Sequence, residues 1–183
     1  MTPVYHILLQ KKQVLPMENV KAFLKRKNIV FSAKRYGIDA LGAMAQGLFC
    51  SLLIGTILNT LGQQFGIAFL QNAIVTIGSG EGAVKYTIGG LCSAMVGPGI
   101  AVAIGFALHC PSLVLFSLIP VGFAANAMGG AGGPLSVYFV AIVAAECGKL
   151  VSKETKIDIL VTPIVTVLVG ILVADVVAAP IGA

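Results

Sequence analysis

The segment ALGAMAQGLFCSLLIGTILNTL decides the fold, because no charged side chain interrupts it between Ala40 and Leu61. An α-helix needs about 20 predominantly apolar residues to cross the hydrocarbon core of a bilayer. Similar apolar segments follow, and only nine residues between Ala40 and Ala183 are charged. The whole chain is 57% hydrophobic and 10% charged, whereas a soluble domain has about 25% charged residues. The sequence therefore predicts an all-α polytopic membrane protein.

Four further segments are apolar and long enough to be counted as spans, which gives about five transmembrane helices. They are Val84–Leu108, Ser112–Met128, Leu135–Val151 and Ile157–Ala179. The segment Gly66–Ile77 is also apolar, but it is too short to cross a bilayer. The glycine-rich run Gly78–Gly82 follows it and breaks regular structure. We interpret residues 66–82 as a half-helix, either re-entrant or interfacial.

The region before the first span is strongly basic. Eight of the twelve Lys and Arg residues precede Tyr36, and Glu18 is the only acidic residue in the same region. From Met17 the pattern predicts a basic amphipathic helix on the membrane surface, with a soluble helix that docks on a partner as the alternative. Neither aromatic interleaving nor a nucleic-acid motif accompanies these cations, so we expect no nucleic-acid partner. Residues 1–39 are predicted as a cytoplasmic leader and basic helix, and residues 40–183 as the transmembrane domain.

The distribution of cations also predicts the orientation. If the N-terminus is cytoplasmic and residues 66–82 do not cross, eleven of the twelve cations lie inside and only Lys85 lies outside. If that segment crosses, Lys149, Lys153 and Lys156 move outside. The positive-inside rule favours the first topology.

Glycine and proline interrupt the apolar segments at three places, Gly78–Gly82, Gly97–Gly99 and Gly129–Pro134. Irregular backbone at membrane depth is tolerated where it is buried in protein or lines a watery cavity, and broken helices often hold solutes. Close packing of helices is the alternative reason for such glycines. The candidate contacts for a polar solute are Asn126, Gly129, Gly130, Gly132, Gly133, Pro134 and Glu146, followed by Glu81 and Asn72.

Ionisable residues inside the spans are few, and they are costly unless they face a cavity or a partner. Glu146 precedes Lys149 by three residues, so an ion pair on one helical face and a substrate contact both remain open. Asp175 has no cation nearby in sequence, and three roles remain open for it: a contact for a polar solute, a pair with another part of the molecule, or a position near the far interface. No catalytic motif and no metal-ligand spacing is present, and the four cysteines form no CxxC pair. We predict neither a cofactor nor a metal site.

Three stretches of the sequence resemble one known family. They are Asn126-Ala127-Met128-Gly129-Gly130-Ala131-Gly132-Gly133-Pro134, Ala144-Ala145-Glu146-Cys147-Gly148-Lys149-Leu150-Val151 and Thr155-Lys156-Ile157-Asp158-Ile159-Leu160-Val161-Thr162-Pro163. Gly62–Gly82 and the basic lead-in are similar as well. The family is the membrane (IIC) component group of the bacterial sugar phosphotransferase system that includes perfringolysin-regulator-like proteins. The resemblance covers most of residues 17–183.

The resemblance implies a multi-pass permease subunit in the bacterial plasma membrane; the cytoplasmic N-terminus is predicted from the cations, as above. Such a subunit binds a carbohydrate and presents it to soluble IIA/IIB-type partners that carry the phosphoryl group. Members of the family are longer and continue after the segment that ends here at Ala183, so we expect this chain to be either a truncated product or a half-length variant. Lipid contacts and a homo-oligomer are also expected. The alternatives are a membrane-bound regulator that uses its basic helix as output, and an ion-coupled transporter that uses Asp175 or Glu146.

Overall fold

A computed structural model describes residues 19–154 and 156–182, so the leader Met1–Pro16 lies outside the described residues. The described chain is a bundle of helices with one small β-hairpin between the first two membrane-length segments. In chain order its elements are α1 (residues 19–26), α2 (Arg35–Phe65), α3 (Ala68–Gln71), β1 (Val75–Ile77), β2 (Val84–Tyr86), α4 (Ile88–Ala94), α5 (Val96–Ala107), α6 (Ser112–Met128), α7 (Gly133–Val151) and α8 (Asp158–Gly182).

Three stretches of helix are long and apolar enough to cross a membrane, which confirms the predicted all-α polytopic class. They are Arg35–Phe65, Gly130–Val151 and Asp158–Ala178. The helices α4 and α5 meet at an angle of 52° and make a fourth span if they are taken together. The helix α6 is apolar but has 17 residues. The five segments predicted as spans are therefore helical over most of their length, while length and composition alone support three or four crossings.

The core lies where α5, α6 and α7 meet, with α2 and α8 packed on its sides. Its fully buried side chains are branched aliphatic residues and alanines, among them Ile100, Ile104, Leu118, Val121, Val137 and Val140. Outward-facing phenylalanines, such as Phe106, Phe116 and Phe123, are more than half exposed. An apolar outer surface of this kind suits a bundle that contacts lipid rather than water.

Glycines bring α5 into backbone contact with the helices on both of its sides. A Cβ atom added at Gly97 would collide with the carbonyl oxygen of Gly122 in α6. A Cβ atom added at Gly47 of α2 would lie 2.6 Å from the Cα atom of Ile100. Small residues permit such close approach between membrane helices. Gly47 thus serves close helix packing, and the packing alternative holds for the Gly97–Gly99 segment.

Residues Gly66–Gly82 do not form the predicted half-helix. Gly66 has a φ of 62° and ends α2 in the left-handed conformation. Within this segment, the helical residues after it are the four of α3 and a single 3₁₀ turn at Gly80–Gly82. The β-branched residues of β1 then pair antiparallel with β2, with Thr76 opposite Lys85. All three residues of β1 and two of the three in β2 are β-branched or aromatic, which favours extended backbone. Gly78 and Gly80 supply the positive φ angles of the connection. The apolar composition of this segment was therefore misleading about its secondary structure.

The second predicted span, Val84–Leu108, is also corrected. Its first residues belong to β2, and its interruption lies at Met95 rather than within Gly97–Gly99. Proline lacks an N–H group and its ring collides with the carbonyl group four residues earlier. Pro98 therefore sits in the first turn of α5, where the N–H groups have no partner within the helix, and the break falls just before that turn.

Candidate functional site

The predicted solute contacts do not gather at one point. Asn126 near the end of α6 is half-buried beside Gly129–Pro134, which we call the glycine turn. Its side-chain oxygen lies 2.5 Å from where a Cβ atom of Gly133 would be. Glu146 lies 13 residues beyond Gly133 on α7, which is about 20 Å along the helix axis. Glu81 and Asn72 are exposed in the region of the β-hairpin. The structure thus joins Asn126 with Gly129, Gly130, Gly132, Gly133 and Pro134 and separates them from the other three candidates; binding by any of them stays a prediction.

Glu146 and Lys149 form a buried ion pair, which is one of the two possibilities that the sequence left open. The Lys149 Nζ atom lies 2.8 Å from Glu146 Oε2, and the side chains are 1% and 12% exposed. Tyr36 at the start of α2 donates a hydrogen bond of 3.0 Å to Glu146 Oε1. A buried charge pair is tolerated when further hydrogen bonds satisfy its remaining atoms. Glu146 is therefore held by structural partners.

The ends of three helices converge around this ion pair. Lys149 donates hydrogen bonds of 3.2 Å to the carbonyl oxygens of Asn28, which follows α1, and Leu108, which follows α5. Arg35 donates to the Leu108 carbonyl and to the Asn28 side chain. The last carbonyl groups of a helix lack partners within the helix and carry partial negative charge. Buried cations are therefore favourable here, and they fix α1, α5 and α7 to one another.

We call this side of the bundle the basic end; it comprises residues 19–36, 107–112 and 149–158. The loop after α7 packs against α1 at this end. Arg26 and Lys27 form ion pairs with Glu154 at 3.0 and 2.6 Å, and Lys27 also donates a hydrogen bond to the Ser152 carbonyl. The opposite side, the far end, holds the hairpin and the glycine turn, where Gly132 lies against Ile181 of α8. Nine of the ten described Lys and Arg residues lie at the basic end, and Lys85 lies at the far end.

The pairing of Lys27 with Glu154 makes the stability of the basic end depend on pH. The hydrogen bond from Lys27, followed by the charges of Lys27 and Arg26, lowers the pKa of the Glu154 carboxyl below its usual value. Because this pKa is lower in the folded state, the ionised carboxylate stabilises the fold at pH values above the unfolded-state pKa of about 4.3. The contribution is lost as the pH falls through the folded-state pKa.

We therefore expect the melting temperature of wild type to exceed that of Glu154→Gln at neutral pH. The difference in melting temperature should disappear as the pH falls to about 3. The measurement is the melting temperature of both proteins in detergent between pH 7 and 3. A gap that stays constant over that range would contradict the assignment of the stabilisation to the ionised carboxylate.

Asp175, a further charged candidate, is exposed on α8. It lies 17 residues along α8 from Asp158 at the basic end, which is about 25 Å. The ion pair lies at the basic end, so Asp175 lies toward the opposite end of the bundle. Among the described residues no group of three or more His, Cys, Asp or Glu side chains is placed to hold a metal ion.

Sequence reasoning missed most partners of the Glu146–Lys149 pair and also missed a groove on the side of the bundle. The groove has a volume of about 540 Å³, and Gln46 and Ser51 of α2 line it together with Met95 and Phe106. A π-helical segment of α2, Phe49–Leu53, borders it, and such segments are frequent at functional sites. Gln46 was the available signal, since it interrupts an otherwise apolar stretch.

A comparison with protein families identifies the family of the chain. The family model described as "Phosphotransferase system, EIIC" matches residues 38–183. The chain belongs to this EIIC family. The match begins in the first turn of α2 and covers the rest of the described chain, so it includes the glycine turn, the ion pair and the groove of this EIIC chain. Neither a search of curated proteins nor a search of solved structures returned a significant match to it.

Proposed function

We propose that this chain binds a carbohydrate and moves it across the membrane, where a cytoplasmic partner phosphorylates it. The observation that carries the proposal is the EIIC family match over residues 38–183. A helical bundle with three or four membrane-length segments fits the membrane component of such a system. The proposed partners are soluble phosphorylated IIA/IIB-type proteins, and the proposed location is the bacterial plasma membrane.

We further propose that the basic end faces the cytoplasm. The excess of Lys and Arg on one side of a multi-pass protein sets its orientation, and nine of the ten described cations lie at that end. The exposed ones, among them Lys21, Lys25 and Lys34, are free to meet anionic headgroups of the inner leaflet. The phosphorylating partner would then approach the side on which α5 and α7 end.

Direct binding of sugars to the purified chain tests the proposal. The chain is reconstituted in lipid nanodiscs, and a panel of radiolabelled sugars is offered without phosphoenolpyruvate or an ion gradient. We expect saturable binding of at least one sugar, because binding precedes phosphoryl transfer in the proposed cycle. Empty nanodiscs serve as the control. Absence of binding across the panel by correctly folded protein would reject a carbohydrate-binding role and favour a membrane-bound regulator.

A further inference from the structure

A pocket of about 420 Å³ lies at the basic end, among the ends of α1, α5 and α7. Cationic side chains dominate its charge: Arg26, Lys27, Lys149 and Lys153 line it, opposed by the carboxylate of Glu154. A cleft lined mainly by one sign of charge concentrates ligands of the opposite sign. The pocket therefore favours an anion.

The buried cation of the pocket offsets the negative ends of two helices. Lys149 is 1% exposed and pairs with Glu146. Its ammonium group also donates hydrogen bonds to the carbonyl oxygens of Asn28 and Leu108, which lie where α1 and α5 end. Such carbonyl groups carry partial negative charge. An anion in the pocket therefore meets helix ends whose charge is already compensated.

Two other cations converge on an anion that the chain itself supplies. Arg26 and Lys27 both pair with the Glu154 carboxylate, at 3.0 and 2.6 Å. Charge-assisted hydrogen bonds of this kind suit phosphate as well as carboxylate. The Arg26 side chain is still 65% exposed, and Lys153 is exposed as well. N–H donors therefore remain for an external anion.

Two local features distinguish this pocket from a plain cluster of surface charges. Ser152 lines it and is 2% exposed, yet its hydroxyl has no hydrogen-bond partner among the described residues. Such buried polar groups are uncommon, so this hydroxyl is available to a polar ligand. The non-glycine residues of the described chain with positive φ, which are Asn28, His109 and Lys153, all line the same pocket. After a helix this conformation is usually taken by Gly or Asn, and at other residues it clusters at ligand sites.

The chemistry of the lining favours a phosphate group on a small molecule. A phosphate monoester carries a charge of about −1.5 to −2 at neutral pH and offers three strong acceptor oxygens, whereas a carboxylate or a phosphodiester brings a single charge. The volume of the pocket lies within the usual range of small-molecule sites. Pro111 is the one apolar residue of the described lining, so the pocket offers little surface to the acyl chains of a phospholipid.

We propose that this pocket binds a phosphate monoester or inorganic phosphate through Arg26, Lys27 and Lys153, and that Glu154 is an internal competitor for the same cations. The Lys27 side chain is 8% exposed, so the ligand reaches it by taking the place of Glu154. The site goes beyond the proposed function, because it is separate from carbohydrate binding and does not depend on it.

Direct binding of phosphate tests the assignment. The full chain in phosphatidylcholine nanodiscs is titrated with radiolabelled inorganic phosphate in the absence of sugar. We expect saturable binding that glucose 6-phosphate, a monoester, competes away. Glucose, which has no charge, and dimethyl phosphate, which has one, are expected not to compete. Nanodiscs that contain phosphatidylglycerol, whose headgroup is a phosphodiester, should bind phosphate equally well.

Substitutions at the pocket provide the second arm. Lys153→Met is expected to weaken phosphate binding at least about tenfold, the usual effect of losing a hydrogen bond to a charged group. The matched control is Lys25→Met, because Lys25 is an exposed lysine of α1 outside the pocket lining and its loss changes the net charge equally. Glu154→Gln should bind phosphate about fivefold more tightly than wild type, because a like charge leaves the site.

Each other outcome overturns a stated part of the proposal. Absence of saturable phosphate binding, or equal weakening by Lys153→Met and Lys25→Met, would reject the pocket as a site. Binding by Glu154→Gln no tighter than by wild type would reject the internal competitor. Competition by dimethyl phosphate as strong as that by glucose 6-phosphate would reject the selection for a doubly charged group. Loss of phosphate binding in phosphatidylglycerol nanodiscs would assign the pocket to lipid headgroups instead.

Discussion

Lys149→Met is expected to destabilise the folded bundle by about 3–5 kcal/mol, the usual cost of removing one partner from a buried ion pair. The substitution leaves the Glu146 carboxylate buried with Tyr36 as its remaining partner. It also removes the hydrogen bonds that Lys149 donates to the Asn28 and Leu108 carbonyls. The measurement is the free energy of unfolding in mixed micelles as the fraction of denaturing detergent rises.

The loop after α7 provides a matched control for this substitution. Lys153 is exposed, and Lys153→Met should change the free energy of unfolding by at most about 0.5 kcal/mol. The double variant Glu146→Gln/Lys149→Met should recover part of the loss, because no unpaired charge then remains buried. Equal stability of Lys149→Met and Lys153→Met would contradict the account of the basic end as a cluster held by buried cations.

Gly97→Leu is expected to destabilise the bundle by about 3 kcal/mol or more, the upper part of the range for overpacking. A Cβ atom at this position would collide with the Gly122 carbonyl oxygen of α6. The obstacle is backbone rather than the end of a flexible side chain, so α5 and α6 would have to move apart. The expected result is a large loss of monodisperse protein on size-exclusion chromatography and a lower melting temperature.

Gly42 of α2 provides the matched control for the substitution at Gly97. A Cβ atom added at Gly42 meets no heavy atom within 4 Å, so Gly42→Leu should retain the elution profile and melting temperature of wild type. A Gly97→Leu protein that behaves like Gly42→Leu would show that α5 and α6 do not touch through their backbones.

Much of the helical architecture could be predicted because hydropathy reports directly on contact with lipid. The segments Ala40–Leu61 and Ser112–Met128 are helical throughout, and Ile157–Ala179 is helical from Asp158 on. In a bilayer an apolar stretch of that length must satisfy its backbone internally. The same signal failed at residues 66–82. There the chain leaves the bundle, and the β-branched residues of β1 decide the local structure rather than mean hydropathy.

The candidate site was less predictable, because its partners are distant in sequence. The spacing of Glu146 and Lys149 allowed an ion pair, and the structure contains it. Tyr36, Asn28 and Leu108 contact this pair from positions far along the chain, and only the packing of α1, α2 and α5 brings them there. The groove was missed for a similar reason: Gln46 and Phe106 become neighbours of one cavity only when α2 and α5 pack.

The proposed function is tested most directly by phosphoenolpyruvate-dependent formation of a sugar phosphate. Membrane vesicles that contain the chain are supplied with the soluble phosphotransferase proteins and with the sugars that bind. We predict that phosphorylated sugar accumulates only when both the chain and phosphoenolpyruvate are present. Accumulation that does not require phosphoenolpyruvate, or no accumulation by inserted and folded protein, would contradict a role as the membrane component of a sugar phosphotransferase system.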